Sequence, residues 1–421
     1  MIINSALVLM MTIPGLGLYY SGMVKVTNVL ATVMQSFSIT CLITFMWLCW
    51  GYSLAFGPAD MQGQLTGVNK HSSGLIGDGS RLWLMGVNVG STHFLAPDIP
   101  ESVFCVFQLN FAIITAALIC GAFADRMKYG PMLVFMALWH TAVYCPIAHW
   151  NFHQDGFLAV QGTLDFAGGN VVHISSGVAG LMSTIVIGNR KGFGKERFMP
   201  HNILLTFFGA SLLWVGWFSF NAGSALAANQ QAGIAMLNTQ IATAMAALTW
   251  MSTEWIIRKQ PSVLGILSGA VAGLVAITPA CGFVDQTGGF FIGFFAGPVC
   301  YFGAQLKRHL GFDDALDAFG VHAVGGMLGG LMIGFFATDQ WTGKLKGVFY
   351  GGGGKQLSYQ VYGIVVTAAW SAVVSYLLLI FVDKTMGLRV TEDEEEAGLD
   401  SSLHGETIVY VDTKLLEVEG Q

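Results

Sequence analysis

The chain is divided by its charges. Intervals of twenty or more residues without Asp, Glu, Lys or Arg run over 1–24, 26–59, 102–124, 129–154, 166–189, 198–253, 260–284, 286–306, 318–338 and 356–382. A helix rises 1.5 Å per residue, so about 20 apolar residues cross a hydrocarbon core of about 30 Å, and each interval predicts a transmembrane helix. The interval 198–253 is long enough for two, and its polar, glycine-containing centre, NAGSALAANQQAG over 221–233, predicts the turn between them. The pattern predicts an all-α membrane protein of eleven transmembrane helices, which puts the termini on opposite sides.

Composition agrees and excludes an ordinary soluble domain: 54% of residues are hydrophobic and 10% charged, with mean hydropathy +0.61. Basic loops stay cytoplasmic. With the N-terminus outside, fourteen of the 19 Lys and Arg fall inside, and only Lys70, Arg81, Lys344, Lys346 and Lys355 fall outside, so the chain is expected N-out and C-in. The first residues enter an apolar helix almost at once, without a basic leader region, which suggests an absent leader or a trimmed N-terminus. The net charge of −6 divides unevenly: from Asp383 onward 11 acids face 3 bases, a net of −8, leaving +2 on the rest. Residues 1–382 are expected to form the membrane domain, with repeats about 1–190 and 198–338 and a last span over 356–382. Residues 383–421 form an acidic cytoplasmic tail, disordered or docked on the inner face.

Seven cysteines show no disulfide framework or zinc spacing. Gly325 with Gly329 and Gly326 with Gly330 have the spacing that lets membrane helices approach closely. Ionisable groups inside spans are costly and mark function by default. His173 in VVHISSGVAG lies eight residues beyond Asp165, and His322 in DAFGVH lies five beyond Asp317, on helices entered from opposite faces. This pairing predicts two inverted five-helix repeats, spans one to five and six to ten, plus one extra helix, with a site near the midplane between them. His140 in LWHTAVYC also lies inside a span, and a function for it stays open. Asp165 heads its helix as a cap. Phe107, Trp150, Phe152, Trp217, Phe220 and Ser224 fall at outer span ends or in outer loops, where they form an interfacial belt or a π-faced vestibule for a small cation.

The chain resembles the ammonium transporter family (Amt/Mep/Rh), Amt branch, over nearly its whole length. The resemblance rests on MTIPGLGLYYSG (11–22), GYSLAFG (51–57), DFAGGNVVHISSGVAGLMSTIVIGNR (165–190), GWFSFNAGSA (216–225), TPACG (278–282), DAFGVH (317–322), and GLRV and GLDSSLHGE in the tail. It implies that His173 and His322 are twin histidines lining a hydrophobic pore, and that Phe107 and Phe220 form a stacked phenylalanine gate. Ser224 would contribute the outer recruitment site, with Asp165 organising the vestibule and Trp217 as a nearby wall. Counting forward from PIAH places the family's recruitment-site tryptophan at Phe152, with Trp150 two residues earlier and the loop to Asp165 one residue longer, so both aromatics are candidates. The resemblance further implies transport of ammonium or ammonia, with methylammonium as analogue. It also implies a homotrimer in the plasma membrane and a PII-type regulatory protein as a candidate cytoplasmic partner. No enzyme activity, cofactor, metal or nucleic acid is expected. An ammonium sensor on the same scaffold, and a membrane redox protein using the histidines as haem ligands, are the competing readings.

Overall fold

The computed structural model describes residues 1–57 and 74–408; Lys70 and His71 lie outside it, as does the tail beyond residue 408. The helices are α1 (Ile2–Met23), α2 (Val26–Phe56), α3 (Glu101–Phe123), α4 (Tyr129–Gln161), α5 (Gly169–Ile187), α6 (Ile203–Gly223), α7 (Gln230–Arg258), α8 (Val263–Ile277), α9 (Gln286–Leu310), α10 (Phe319–Phe336) and α11 (Lys355–Met386). Among the described residues, ten of these are long and apolar enough to cross a membrane. The exception, α8, has 15 residues and so measures about 22 Å, less than the span expected over 260–284.

Short polar breaks set the boundaries. Asn202, Asn229, Ser262 and Asp285 each accept main-chain N–H groups from the first turn of α6, α7, α8 and α9. Left-handed Lys259 and Gly311 end α7 and α9. Large apolar residues such as Phe45, Phe208, Phe294 and Phe302 remain on the outside, as in a bundle whose surrounding solvent is lipid. Packing between helices then depends on close approach. Helix α7 packs most extensively on α8 and α9, and a Cβ at Gly293 of α9 would run into the Ala242 backbone of α7. The two glycine pairs of α10 serve different neighbours. Gly325 and Gly329 face Val275 and Ala276 of α8, whereas Gly326 faces Gly169, His173 and Ile174 of α5, and Gly330 faces Ile364 of α11.

At one end of the bundle, buried charges are paired. Arg190, just past α5, donates Nε and Nη2 to the two carboxylate oxygens of Asp313 at 2.8 and 2.9 Å, and Nη1 to Asp125 at 2.9 Å. Asn28 donates to the other oxygen of Asp125. The tail docks on this end through α12 (Glu392–Ala397) and α13 (Leu399–His404). Leu399 N–H donates to Asn28 Oδ1 at 2.7 Å, Asp400 accepts from Leu30 and Ala31 at the start of α2, and Lys191 N–H donates to Glu395. Of the two tail arrangements expected from the sequence, the described part is docked.

Burial alone would push Asp313 up, but the Arg190 hydrogen bonds outweigh it and hold the carboxyl below its ordinary range. The stabilisation is therefore present above about pH 4 and is lost as pH falls through the lowered value. Arg190→Met leaves two buried carboxylates without their cation. It should cost about 3–5 kcal/mol, read as a lower melting temperature in detergent at pH 7. The gap between mutant and parent should narrow in acid; a melt unchanged at pH 7 would contradict the assignment.

Candidate functional site

At the end of the bundle opposite the tail, a pocket of about 250 Å³ is lined by Leu95, Gln108, Phe111, Asn151, Phe152, Asp165, Phe166, Ser224, Leu226, Gln231 and Phe283. Beneath it runs a column of rings. Phe152 meets Phe111 edge-on at 6.3 Å, Phe111 stacks on Phe220 at 4.0 Å and 15°, and Phe220 lies 6.3 Å from His173, which stacks on His322 at 5.4 Å and 19°. The histidine Nδ1 atoms are 3.3 Å apart. His173 also stacks on Trp217 at 5.4 Å, and the Trp217 indole N–H donates to Thr278 Oγ1 at 2.8 Å, which fixes the ring.

Two nitrogens at hydrogen-bond distance share one proton, so one imidazole donates through Nδ1 and the other accepts there. The remaining Nε2 atoms are then unlike: a lone pair on the donor ring and an N–H on the acceptor ring. Two axial nitrogens on a haem iron, each about 2 Å from it on opposite sides, would stand about 4 Å apart, so the 3.3 Å spacing is too short for a haem between the Nδ1 atoms. Among the described residues, no third His, Cys, Asp or Glu joins the pair to complete a metal-ligand set.

Both histidines sit in single π-helical turns, Gly169–Ile174 and Phe319–Ala323, an uncommon form associated with functional positions. Each turn is held at its start by a buried carboxylate. Asp165 accepts the main-chain N–H groups of Gly168, Gly169, Asn170 and Val171 at 2.6–3.2 Å. Asp314 accepts those of Ala318 and Phe319 at 3.0 and 2.8 Å. Burial pushes both carboxyls up, and these N–H donors oppose it. Each acid precedes its histidine by eight residues, and each segment has a left-handed residue five before the histidine: Gly168 at φ +110° and Asp317 at φ +61°. The acid matching Asp165 is thus Asp314. Asp317 is a turn residue paired with Lys307 at 2.6 Å. A nine-residue alignment of DFAGGNVVH with DALDAFGVH carries this signal.

The stacked ring pair also differs from expectation. Phe220 stacks on Phe111, not on Phe107. Phe107 lies one turn away on α3, 5.1 Å from Phe111 at a 60° tilt. The sequence offers both phenylalanines four apart, and only the ring geometry separates them. Phe152 lines the pocket. Trp150 turns elsewhere, donating its indole N–H to the Leu75 carbonyl at 2.6 Å and packing on Phe157 and Trp370. Ser224 donates its hydroxyl to the Phe220 carbonyl at 2.8 Å, so a pocket ligand meets its lone pairs. Gln360 of α11 grips both backbone groups of Leu164 just before Asp165, a support that sequence reading missed because a glutamine inside a span has no distinctive pattern.

His140 is fully enclosed away from this column, 3.6 Å from Cys145 Sγ and stacked on Tyr144.

A bundle of apolar helices with a π-and-hydroxyl pocket above a buried imidazole pair defines a membrane protein for a small polar solute. The ammonium transporter family model matches residues 1–409. The chain is 44% identical to the ammonium transporter of Bacillus subtilis (strain 168) over 403 residues, covering 95% of each. It is 46% identical to that of Aquifex aeolicus (strain VF5) over 407 residues, covering 96% of this chain and 91% of that one. The crystal structure of Candida albicans Mep2 superposes with a TM-score of 0.84 at 36% identity, covering 93% of this chain and 86% of Mep2. The chain belongs to the ammonium transporter family.

The two carboxylates are expected to behave alike. Asp165→Ala and Asp314→Ala each strand buried N–H groups and should lower the melting temperature, while the Asn variants, which keep one acceptor oxygen, should lose less. Equal loss in Ala and Asn variants would argue against the capping role.

Proposed function

We propose that the protein carries ammonium or ammonia across the plasma membrane, with methylammonium as an analogue. The observation that carries this reading is the proton-sharing His173–His322 pair behind the Phe111–Phe220 stack, under a pocket offering the Ser224 lone pairs and the Phe152 face. Ammonium is recruited where hydroxyl oxygen and π faces replace part of its water. Phe111 and Phe220 in contact leave no opening, so the rings part for passage. Beyond them the lumen is apolar and a bare cation is costly there. The ammonium gives a proton to an imidazole nitrogen that holds a lone pair, neutral ammonia proceeds, and a proton is returned on the far side. Potassium has no proton to give and is rejected at this step. Phe107 packs against Phe111 outside the pocket lining and supports that ring, and Trp217 holds the His173 ring.

The finer architecture belongs to the same reading. Eleven spans are supported by the ten long helices together with α8, whose following turn sits in contact with the α5 start through Phe166 N–H to Pro279 O. N-out, C-in orientation follows from the basic residues. Two inverted repeats are supported by the matched acids, left-handed residues, π turns and histidines. A homotrimer, and a PII-type protein meeting the tail face, extend the family relation to assembly and control.

Replacing His173 and His322 together with Ala should remove methylammonium uptake by proteoliposomes, or its selectivity over potassium. Flux and selectivity equal to those of the parent protein would overturn the mechanism.

A further inference from the structure

Gln108 stands on α3 between Phe107 and Phe111, in the wall of the pocket. The residue is 8% exposed, and its Oε1 is enclosed without a hydrogen-bond partner. The other amides of the wall are committed. Asn151 donates to Ile147 O and accepts from Asn170, and Gln231 donates to the carbonyls of Gly282 and Trp341. Among the described residues, no hydrogen bond holds the Gln108 carboxamide at either end. Other buried polar atoms of the chain are also unpartnered, but among the amides of the pocket wall it is the Gln108 oxygen that is left open to a partner from the pocket.

We propose that Gln108 is a substrate-binding residue whose carbonyl oxygen accepts an N–H of ammonium in the outer pocket, beside the Ser224 oxygen and the Phe152 ring. The proposal rests on the ammonium reading above and adds a ligand to its recruitment site. The carboxamide is suited to this. A half-turn about its last bond exchanges oxygen and nitrogen without breaking any protein hydrogen bond, so the carbonyl can turn to an arriving cation. Ammonium directs four N–H bonds to tetrahedral corners, and acceptors on α3 and α6 meet two of them with direction, which a spherical ion does not require. A phenylalanine at 152 also offers a weaker cation–π face than a tryptophan, and an added oxygen acceptor offsets that loss.

The test is the concentration dependence of ammonium-evoked currents in proteoliposomes bearing the full chain as parent, Gln108→Leu, Gln108→Met or Gln108→Glu. Leu and Met keep the volume and remove the acceptor. Each should raise half-saturation about tenfold, or about 1.4 kcal/mol, and by more than it changes the maximal current. Glu restores an acceptor and should bring half-saturation at pH 7 to the parent value or below it. Half-saturation within about twofold of the parent in both apolar variants would overturn the assignment. So would Glu shifted upward as far as Leu, the result expected if Gln108 only packs. A parent protein that passes no ammonium current would overturn the functional reading itself, whereas a normal parent current with unmoved apolar variants would overturn Gln108 alone.

Discussion

The central constraint is that main-chain polar groups within an apolar bundle must find partners inside the protein. Helices α5 and α10 each begin below the surface, and the N–H groups of a first turn have no helical acceptor. Asp165 and Asp314 supply one from a side chain. A carboxylate is costly to bury, and here it is stabilised by the N–H groups it satisfies and by the positive end of the helix. With the starts anchored, each π-helical turn places its histidine eight residues on, and the two rings meet.

Small residues make the meeting possible. A Cβ at Gly177 of α5 would press on the Ala323 backbone, beside His322, and one at Gly326 of α10 would press on His173 Cβ and Gly169 O. The helices therefore cross at backbone contact, and the imidazoles occupy the space that larger residues would fill. Trp217 closes the other face of His173 and is itself held by Thr278, whose hydroxyl donates in turn to Leu274 O. The Trp217 ring against His173 is thus set by hydrogen bonds that lie outside the column.

Much of this was legible in the sequence. Charge-free intervals marked the ten long helices because a membrane bundle admits few charges, and two histidines within such intervals stood out for the same reason. The points that the sequence misplaces or leaves open share a cause. Phe107 and Phe111 are both phenylalanines on one face of α3, a turn apart, and periodicity does not say which of them reaches Phe220. Asp314 and Asp317 both precede His322, and only the hydrogen bonds show that the nearer acid is a turn residue. Trp150 and Phe152 differ by two positions on a helix, enough to send one into the pocket and the other toward α11. Residue type and spacing thus locate the elements of the site, and a shift of one turn or less decides which side chain faces it. Gln108 and Gln360 were invisible because a neutral amide in a span carries no charge signal.

The tail end of the bundle is bound to the same geometry. Arg190 ends the stretch that begins with Asp165, and its partner Asp313 immediately precedes Asp314. One guanidinium therefore ties the far end of the His173 helix to the start of the His322 helix. Asp125 completes that pairing, Asn28 holds Asp125, and the free oxygen of Asn28 accepts the Leu399 N–H of the tail. The sequence of contacts from the tail to the cap of α10 consists of buried, directional bonds with charged members, and these respond steeply to the loss of any one. The tail also touches the end of α5 directly, through Lys191 N–H to Glu395 and Arg389 to Ile187 O, so it meets the Arg190 clamp from both sides. The ionic network thus joins the far end of α5 to the start of α10 without entering the ring column.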